Sequence, residues 1–253
     1  MLRDPATPSE FLRIGHRGAA AAAPENTAVS FARALDLSVD MIECDLQLTA
    51  DGEVVIIHDW TADRTTSGEG EIARLAADDL RGFDAGAWMA DEFAGARVPS
   101  LAETLDQVLP HARLNLELKS RGTREESARL AVAAAAEVQA RDAMGRVVFS
   151  SFNPEALLEL RAAVPEAPIG VLWSREDYAL AFEIAAQLGA VSLHPWAAQV
   201  TPELVALAHE AELAVFTWTE NEVERIVELA RMGCDGIISD WPERLLAARD
   251  ALR

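Results

Sequence analysis

Lysine is almost missing from this sequence: Lys119 is the only one among 22 basic residues, and the rest are arginines. Basic charge as a whole is scarce, with 22 Lys and Arg against 42 Asp and Glu and a formal net charge of −20. That balance argues against nucleic acid as a partner, because backbone phosphates are bound by basic faces. It argues equally against stable attachment to anionic membranes. A small anionic substrate stays compatible, since one metal ion and a few cations at a pocket mouth reverse the local field. Cysteine is sparse too. Cys44 and Cys234 each sit inside an apolar, strand-like run, which speaks for buried free thiols in a reducing cytoplasm and against a disulfide scaffold. Long apolar runs are missing. The alanine-rich stretch at 130–136 lies between charged residues and is too short to span a bilayer. Residues 1–9, with Arg3, Asp4 and two prolines, read as a short tether and not as a signal peptide. A soluble cytoplasmic protein is expected; oligomeric state leaves no mark in the sequence.

What is present is a chain of 253 residues, half of them hydrophobic, enough to bury a substantial core. Short β-rich runs alternate with longer Ala/Leu/Glu/Arg segments of helical period, the pattern of βα units around a parallel sheet. Strands are expected at 13–16, 41–48, 114–118, 147–151, 169–173, 191–193, 215–218 and 236–239. Helices are expected near 27–36, 100–109, 124–141, 154–163, 177–188, 202–212, 221–232 and 242–252, with Asn26, Ser100, Asn153 before Pro154, and Thr201 before Pro202 as caps. The simplest closure of eight strands and eight helices is an α/β (β/α)8 TIM barrel occupying 1–253 as one domain; an open doubly wound sheet is the alternative. Two segments depart from the repeat. Residues 53–58 follow Ala50-Asp51-Gly52, a hairpin signal, so the chain should fold back on the second strand with position 58 within a residue or two of position 45. Residues 60–98 are too long for an ordinary βα loop and read as an insertion with its own helix near 75–81.

Barrel enzymes carry their reacting groups at the C-terminal ends of the strands. Strand one ends in His16-Arg17-Gly18, and strand two carries Glu43 and Asp45, two apart and therefore on one face. The hairpin returns His58-Asp59 beside them, and the third barrel strand ends Glu117-Leu118-Lys119. A lone strand histidine is more often a satisfied core or surface group than a catalyst, and two carboxylates on one face can simply meet solvent. Here, however, Glu43 and Asp45 interrupt an apolar run, so the alternation aims them into the barrel. Burying them unpaired is prohibitive, and a cation is expected there. Glu43, Asp45 and Glu117 offer hard oxygen ligands that suit one divalent cation, Mg²⁺ or Ca²⁺, and not zinc. In a chain so biased toward arginine, Lys119 marks a place where a compact, rotatable charge is wanted.

Taken in order, Gly15-His16-Arg17-Gly18, Pro24-Glu25-Asn26-Thr27, Glu43-Cys44-Asp45, Thr49-Ala50-Asp51-Gly52, His58-Asp59, Arg64-Thr65-Thr66 and Glu117-Leu118-Lys119 resemble the successive motifs of the glycerophosphodiester phosphodiesterase family. Ser151-Phe152-Asn153-Pro154, Trp218-Thr219 and Asp235-Gly236-Ile237-Ile238-Ser239-Asp240 extend the resemblance, which runs from about residue 12 to 245. Cys44 stands where an aliphatic residue is commoner, on the face turned away from the metal. The resemblance implies a barrel, a divalent cation on Glu43, Asp45 and Glu117, and His16 and His58 as the acid–base pair on a small glycerophosphodiester, with His16 favoured as base and His58 as acid. It places Arg17 and Lys119 on the phosphate. Phe152 and Trp218 sit at strand ends, where aromatics are core as often as pocket lining, and are taken as pocket walls for the alcohol. Glu25 is an outer partner or a helix cap, Asp59 an orienting partner, and Arg64 an anchor of the insertion. His111, His194 and His209 are given no role. Two other readings stay open. One is a lysophospholipase D-like phosphodiesterase, with Phe83, Trp88, Met89 and Phe93 as an apolar lip. The other is a non-catalytic phosphometabolite-binding barrel, for which two histidines beside three carboxylates would be superfluous.

Overall fold

The alternation of β-rich and helical segments is carried through into alternating strands and helices. The computed structural model describes residues 10–121 and 123–253; the expected tether at 1–9 lies outside them. The strands are β1 (Leu12–His16), β2 (Met41–Leu48), β3 (Val54–Ile56), β4 (Arg113–Leu118), β5 (Val147–Ser151), β6 (Ile169–Trp173), β7 (Ser192–Pro195), β8 (Ala214–Thr217) and β9 (Gly236–Ser239). All pair parallel except β3, and the order β1-β9-β8-β7-β6-β5-β4-β2 closes through β1–β2. The result is a closed eight-stranded parallel barrel with helices outside it, the (β/α)8 architecture, and not the open sheet. The helices are α1 (Ala28–Asp36), α2 (Ala77–Gly82), α3 (Leu101–Val108), α4 (Arg124–Gln139), α5 (Pro154–Ala163), α6 (Tyr178–Leu188), α7 (Pro202–Glu210), α8 (Val223–Met232) and α9 (Pro242–Ala251). No helix among the described residues is long and apolar enough to cross a membrane.

Strand alternation sorts the side chains into two shells. Ile42, Cys44, Leu46, Leu114 and Leu116 pack outward in the large cluster with Phe31, Leu101, Leu105 and Leu130 of the helices. Cys44 and Cys234 are both buried and free. The alternate residues face the barrel interior, which has two halves. Ile14, Met41, Ala214, Phe216 and Ile238 make an apolar half. Glu43, Asp45, Asn115, Ser150, Ser192 and His194, all buried, make a polar half along β2, β4, β5 and β7.

The caps at Ser100, Asn153 and Thr201 form as expected, the first as a full capping box. Asn26 does not cap α1. Thr27 does, its hydroxyl accepting from Ser30 N, because Asn26 takes a left-handed φ of 58° and turns its amide inward. The hairpin register pairs Leu46 with Ile56 and Leu48 with Val54, and Ile57 N donates to Asp45 O. Position 58 is thus one residue past the one facing Asp45, within the expected margin. The regular strand ends at Ile56, earlier than expected; beyond it Ile57 N still bonds Asp45 O, and the Gln47 amide donates to the carbonyls of Ile57, His58 and Asp59 at 2.9, 3.1 and 2.6 Å in place of further ladder pairs. Beyond it, the 60–98 segment packs around a small core of Val55, Ile57, Ala62, Ile72, Leu80, Ala85 and Val98. Phe83 packs against that core and is not part of an apolar lip; Trp88 is exposed.

Candidate active site

The end of β1 turns sharply. A side chain at Gly15 would strike the Gly18 carbonyl at 2.3 Å, and Gly18, at φ 89°, leaves no room beside Ser30. The turn puts Arg17 at φ 50° and folds its side chain back across the barrel mouth. There its backbone N–H donates to Glu43 Oε2 (3.1 Å), Nη1 to Glu25 Oε1 (2.7 Å), and Nε faces Asp45 Oδ2 at 3.2 Å.

Beneath it, β2 and β4 bring Glu43, Asp45 and Glu117 together, with one oxygen of each within 4.8 Å of the others. Lys119 Nζ lies 3.0 Å from Glu117 Oε1 and 3.6 Å from Asp45 Oδ1. Their proton affinities diverge. Burial, with the charges of Asp45 and Glu117, raises Glu43 well above the usual carboxylate range. Burial and Asp45 push Glu117 up to about 7. Asp45 is also pressed upward by burial, but Arg17, Lys119, His58 and the Asn26 amide (Nδ2 to Oδ2, 2.8 Å) hold it below its ordinary value. Three buried carboxylates facing two cations are short of positive charge, and an all-oxygen niche of this size fits a hard divalent cation. The donor set therefore fits the expected metal.

His16 and His58 stand on either side of this niche, and each is tied at Nδ1 to a carboxylate. His16 Nδ1 lies 2.6 Å from Asp240 Oδ1 at the end of β9, and His58 Nδ1 lies 2.7 Å from Asp59 Oδ1. Asp240 is itself held by Asn221, whose Nδ2 donates to Oδ2 at 2.8 Å. Burial raises the Asp240 pKa, but the bonds from His16 and Asn221 outweigh it and keep the group ionised. Asp59 is held well below its usual range, chiefly by Arg64, which donates to it through Nε and Nη2 at 2.6 and 3.0 Å. An ionised carboxylate only accepts, so each histidine donates from Nδ1 and keeps its Nε2 for the pocket. Arg64 also reaches Glu25 through both Nη atoms and so ties the β1–α1 loop to the start of the insertion. Burial lowers the His58 pKa, and Arg17 and Lys119 act in the same direction.

These groups line one cavity of about 130 Å³, with His16, Arg17, Glu43, His58, Glu117, Lys119, Phe152 and Trp218 in its wall. Phe152 meets Trp218 edge-on at 5.2 Å, and the indole N–H donates to His194 O. Every residue singled out from the sequence as catalytic, metal-binding or substrate-binding thus belongs to one cluster. The histidines given no role stay out of the cavity wall: His194 is buried against Ser192, and His209 pairs with Asp235. Several site residues were given no site role from the sequence, although Asp240 and Asn26 stand within the quoted motifs. Asp240 continues the inward alternation of β9 past Ile238, and Gln47 and Asn115 continue that of β2 and β4. That period-two signal was available. Asn26 was hidden by its plausibility as a cap.

Comparison with known proteins agrees with this geometry. Residues 16–244 match the Glycerophosphoryl diester phosphodiesterase family. A glycerophosphodiester phosphodiesterase of Caldanaerobacter subterraneus subsp. tengcongensis is 36% identical over 241 residues, covering 93% of this chain and 96% of that protein. The structure of an Oleispira antarctica phosphodiesterase in complex with the product sn-glycerol-3-phosphate matches with a TM-score of 0.87 and 30% identity, over 94% of this chain and 96% of that one. A glycerophosphodiester phosphodiesterase from Agrobacterium tumefaciens matches with a TM-score of 0.83 and 28% identity, over 94% and 100%. The chain belongs to the glycerophosphoryl diester phosphodiesterase family.

Proposed function

We propose that this protein hydrolyses small glycerophosphodiesters to glycerol 3-phosphate and an alcohol, by acid–base catalysis between His16 and His58 beside a divalent cation on Glu43, Asp45 and Glu117. One observation carries the reading: two histidines, each locked at Nδ1 by its own carboxylate, flank a three-carboxylate niche in a single pocket. Phosphodiester cleavage needs a base for the nucleophile, an acid for the leaving alkoxide and positive charge on the non-bridging oxygens. The locked Nδ1 atoms leave the two Nε2 atoms as the base and the acid. Arg17 and Lys119 supply fixed charge to the phosphate. The cation, Mg²⁺ or Ca²⁺, would supply Lewis-acid stabilisation of the same oxygens when bound. Phe152 and Trp218 wall the carbon side of the substrate. The insertion contributes to the site, since its Arg64 holds Asp59, which in turn orients His58.

The test is release of glycerol 3-phosphate from glycerophosphocholine by the purified protein, with EDTA, Mg²⁺ and Ca²⁺ arms and a parallel lysophosphatidylcholine arm. Turnover that EDTA stops and one of the ions restores is the expected outcome. Turnover of the lysolipid alone would move the substrate class, and turnover that EDTA leaves untouched would remove the cation from the reaction.

A further inference from the structure

The catalytic cavity has a polar floor that no protein group satisfies. Asn115 lies on β4 two residues before Glu117 and pairs in register with Glu43 of β2, so its side chain points into the barrel. It is 1% exposed and lines the same cavity as His16 and His58. Neither its Oδ1 nor its Nδ2 has a hydrogen-bond partner. Leu172 and Ile238, which line the same cavity, are apolar and offer it none. An unpaired buried amide is costly in a folded protein. A leucine in its place would remove that cost, so the amide has a use when something else occupies the cavity.

The chemistry of that occupant follows from the amide. A primary amide presents an acceptor and a donor side by side in one plane. A phosphate dianion only accepts and can satisfy half of it, and Arg17 and Lys119 already hold positive charge for the phosphate nearer the mouth. A vicinal diol matches both atoms, one hydroxyl donating to Oδ1 and the other accepting from Nδ2. We propose that Asn115 recognises the vicinal hydroxyls of the glycerol half of the substrate and makes the site selective for glycerol phosphate esters over esters of simple alcohols. The proposal rests on the glycerophosphodiester reading above. Its physical basis is asymmetric: a site built to bond a hydroxyl rejects an analogue without one because its own buried group is then left unpaired.

Binding separates this role from catalysis. Titration calorimetry of the full chain, with whichever divalent cation supports turnover, compares sn-glycerol 3-phosphate with propyl phosphate, which lacks both hydroxyls. The parent protein should prefer glycerol 3-phosphate by about 10–100-fold. Asn115→Leu, close in volume and without polar atoms, should melt no lower than the parent, lose the preference, and hold propyl phosphate within about threefold. Asn115→Ser, keeping one hydroxyl, should retain part of the preference and guards against a folding defect in the leucine variant. Absence of a preference in the parent, or its survival in Asn115→Leu, would overturn the proposal. So would equal weakening of both ligands, which would mean that the amide serves the carboxylates. Glycerophosphocholine turnover by the parent is measured alongside. Its absence counts against the phosphodiesterase reading, whereas turnover with an unaltered preference in the variant counts against Asn115 alone.

Discussion

Which ring nitrogen of a histidine is left facing a pocket is set by the partner of the other, and in this pocket that partner is a carboxylate for both His16 and His58. Asp240 holds His16 at Nδ1 from β9, far along the chain, while Asp59 holds His58 from the next residue and is itself gripped by Arg64. The two locks differ in redundancy: Asp59 sits in a network with Arg64 and Glu25, whereas Asp240 is steadied by Asn221. Asp240→Asn keeps the shape but can present its amide N–H to Nδ1, which favours the wrong tautomer. We expect kcat on glycerophosphocholine to fall by about 100-fold or more while KM changes little, because a proton-transfer group contributes about 10²–10⁴-fold. Steady-state kinetics check this, and a rise in KM with kcat intact would make Asp240 a binding residue instead. At this scale the sequence was readable where a strand end carried charge, as at His16, Glu43, Asp45 and Glu117. It misled at Asn26, where a good capping residue before a helix is indistinguishable from one that turns inward to bond Asp45. Left-handed φ at a non-glycine position has no reliable mark in a single sequence.

Elements were more legible than their ends. Each barrel strand was expected within two or so residues, but β7 begins at Ser192 and runs to Pro195, since a proline at a strand's last position looks like a terminator. The hairpin strand shrank to Val54–Ile56 for a tertiary reason, the Gln47 amide capturing three successive carbonyls, which no local pattern reveals. The same capture fixes where His58 can lie, so the insertion that follows it is a support for the site as well as an excursion. Its core is small and separate from the barrel's, with Leu80 of α2 fully buried at its centre. Leu80→Ala should therefore cost about 2–5 kcal/mol locally and loosen that segment alone. Amide hydrogen exchange is expected to quicken across residues 60–98 while β4 to β9 keep their protection. Activity should drop with it, through Arg64 and Asp59. Exchange that rises evenly over the whole barrel would show the two cores to be one cooperative unit.

For the molecule as a whole, the division of the barrel interior sets a conflict that a bound cation would resolve. One half is packed with Ile14, Met41, Phe216 and Ile238 and stabilises the fold by apolar burial. The other half buries Glu43, Asp45 and Glu117 in a chain already carrying a net charge of −20. Without a cation, burial and the charge of Asp45 raise the Glu117 pKa to about 7, and burial with the charges of Asp45 and Glu117 raises Glu43 too. The sign follows from linkage: between the unfolded value near 4.5 and about 7 the native protein holds more protons than the unfolded chain, so stability falls as pH rises through that window. A divalent cation bound to the ionised carboxylates would remove the penalty and stabilise the native state by mass action. Measured against melts in saturating Mg²⁺ or Ca²⁺, so that the opposite-signed contribution of buried His194, whose pKa is lowered to about 3, cancels, thermal melts in EDTA should fall progressively behind between pH 5 and pH 8 (by about 2–4 °C per kcal/mol for a domain of this size). The increment due to the metal then grows with pH. In Glu117→Gln the EDTA slope should flatten and the increment shrink, because the neutral amide neither repels Asp45 nor offers the cation a charge. A metal increment that is independent of pH would place the cation away from these carboxylates.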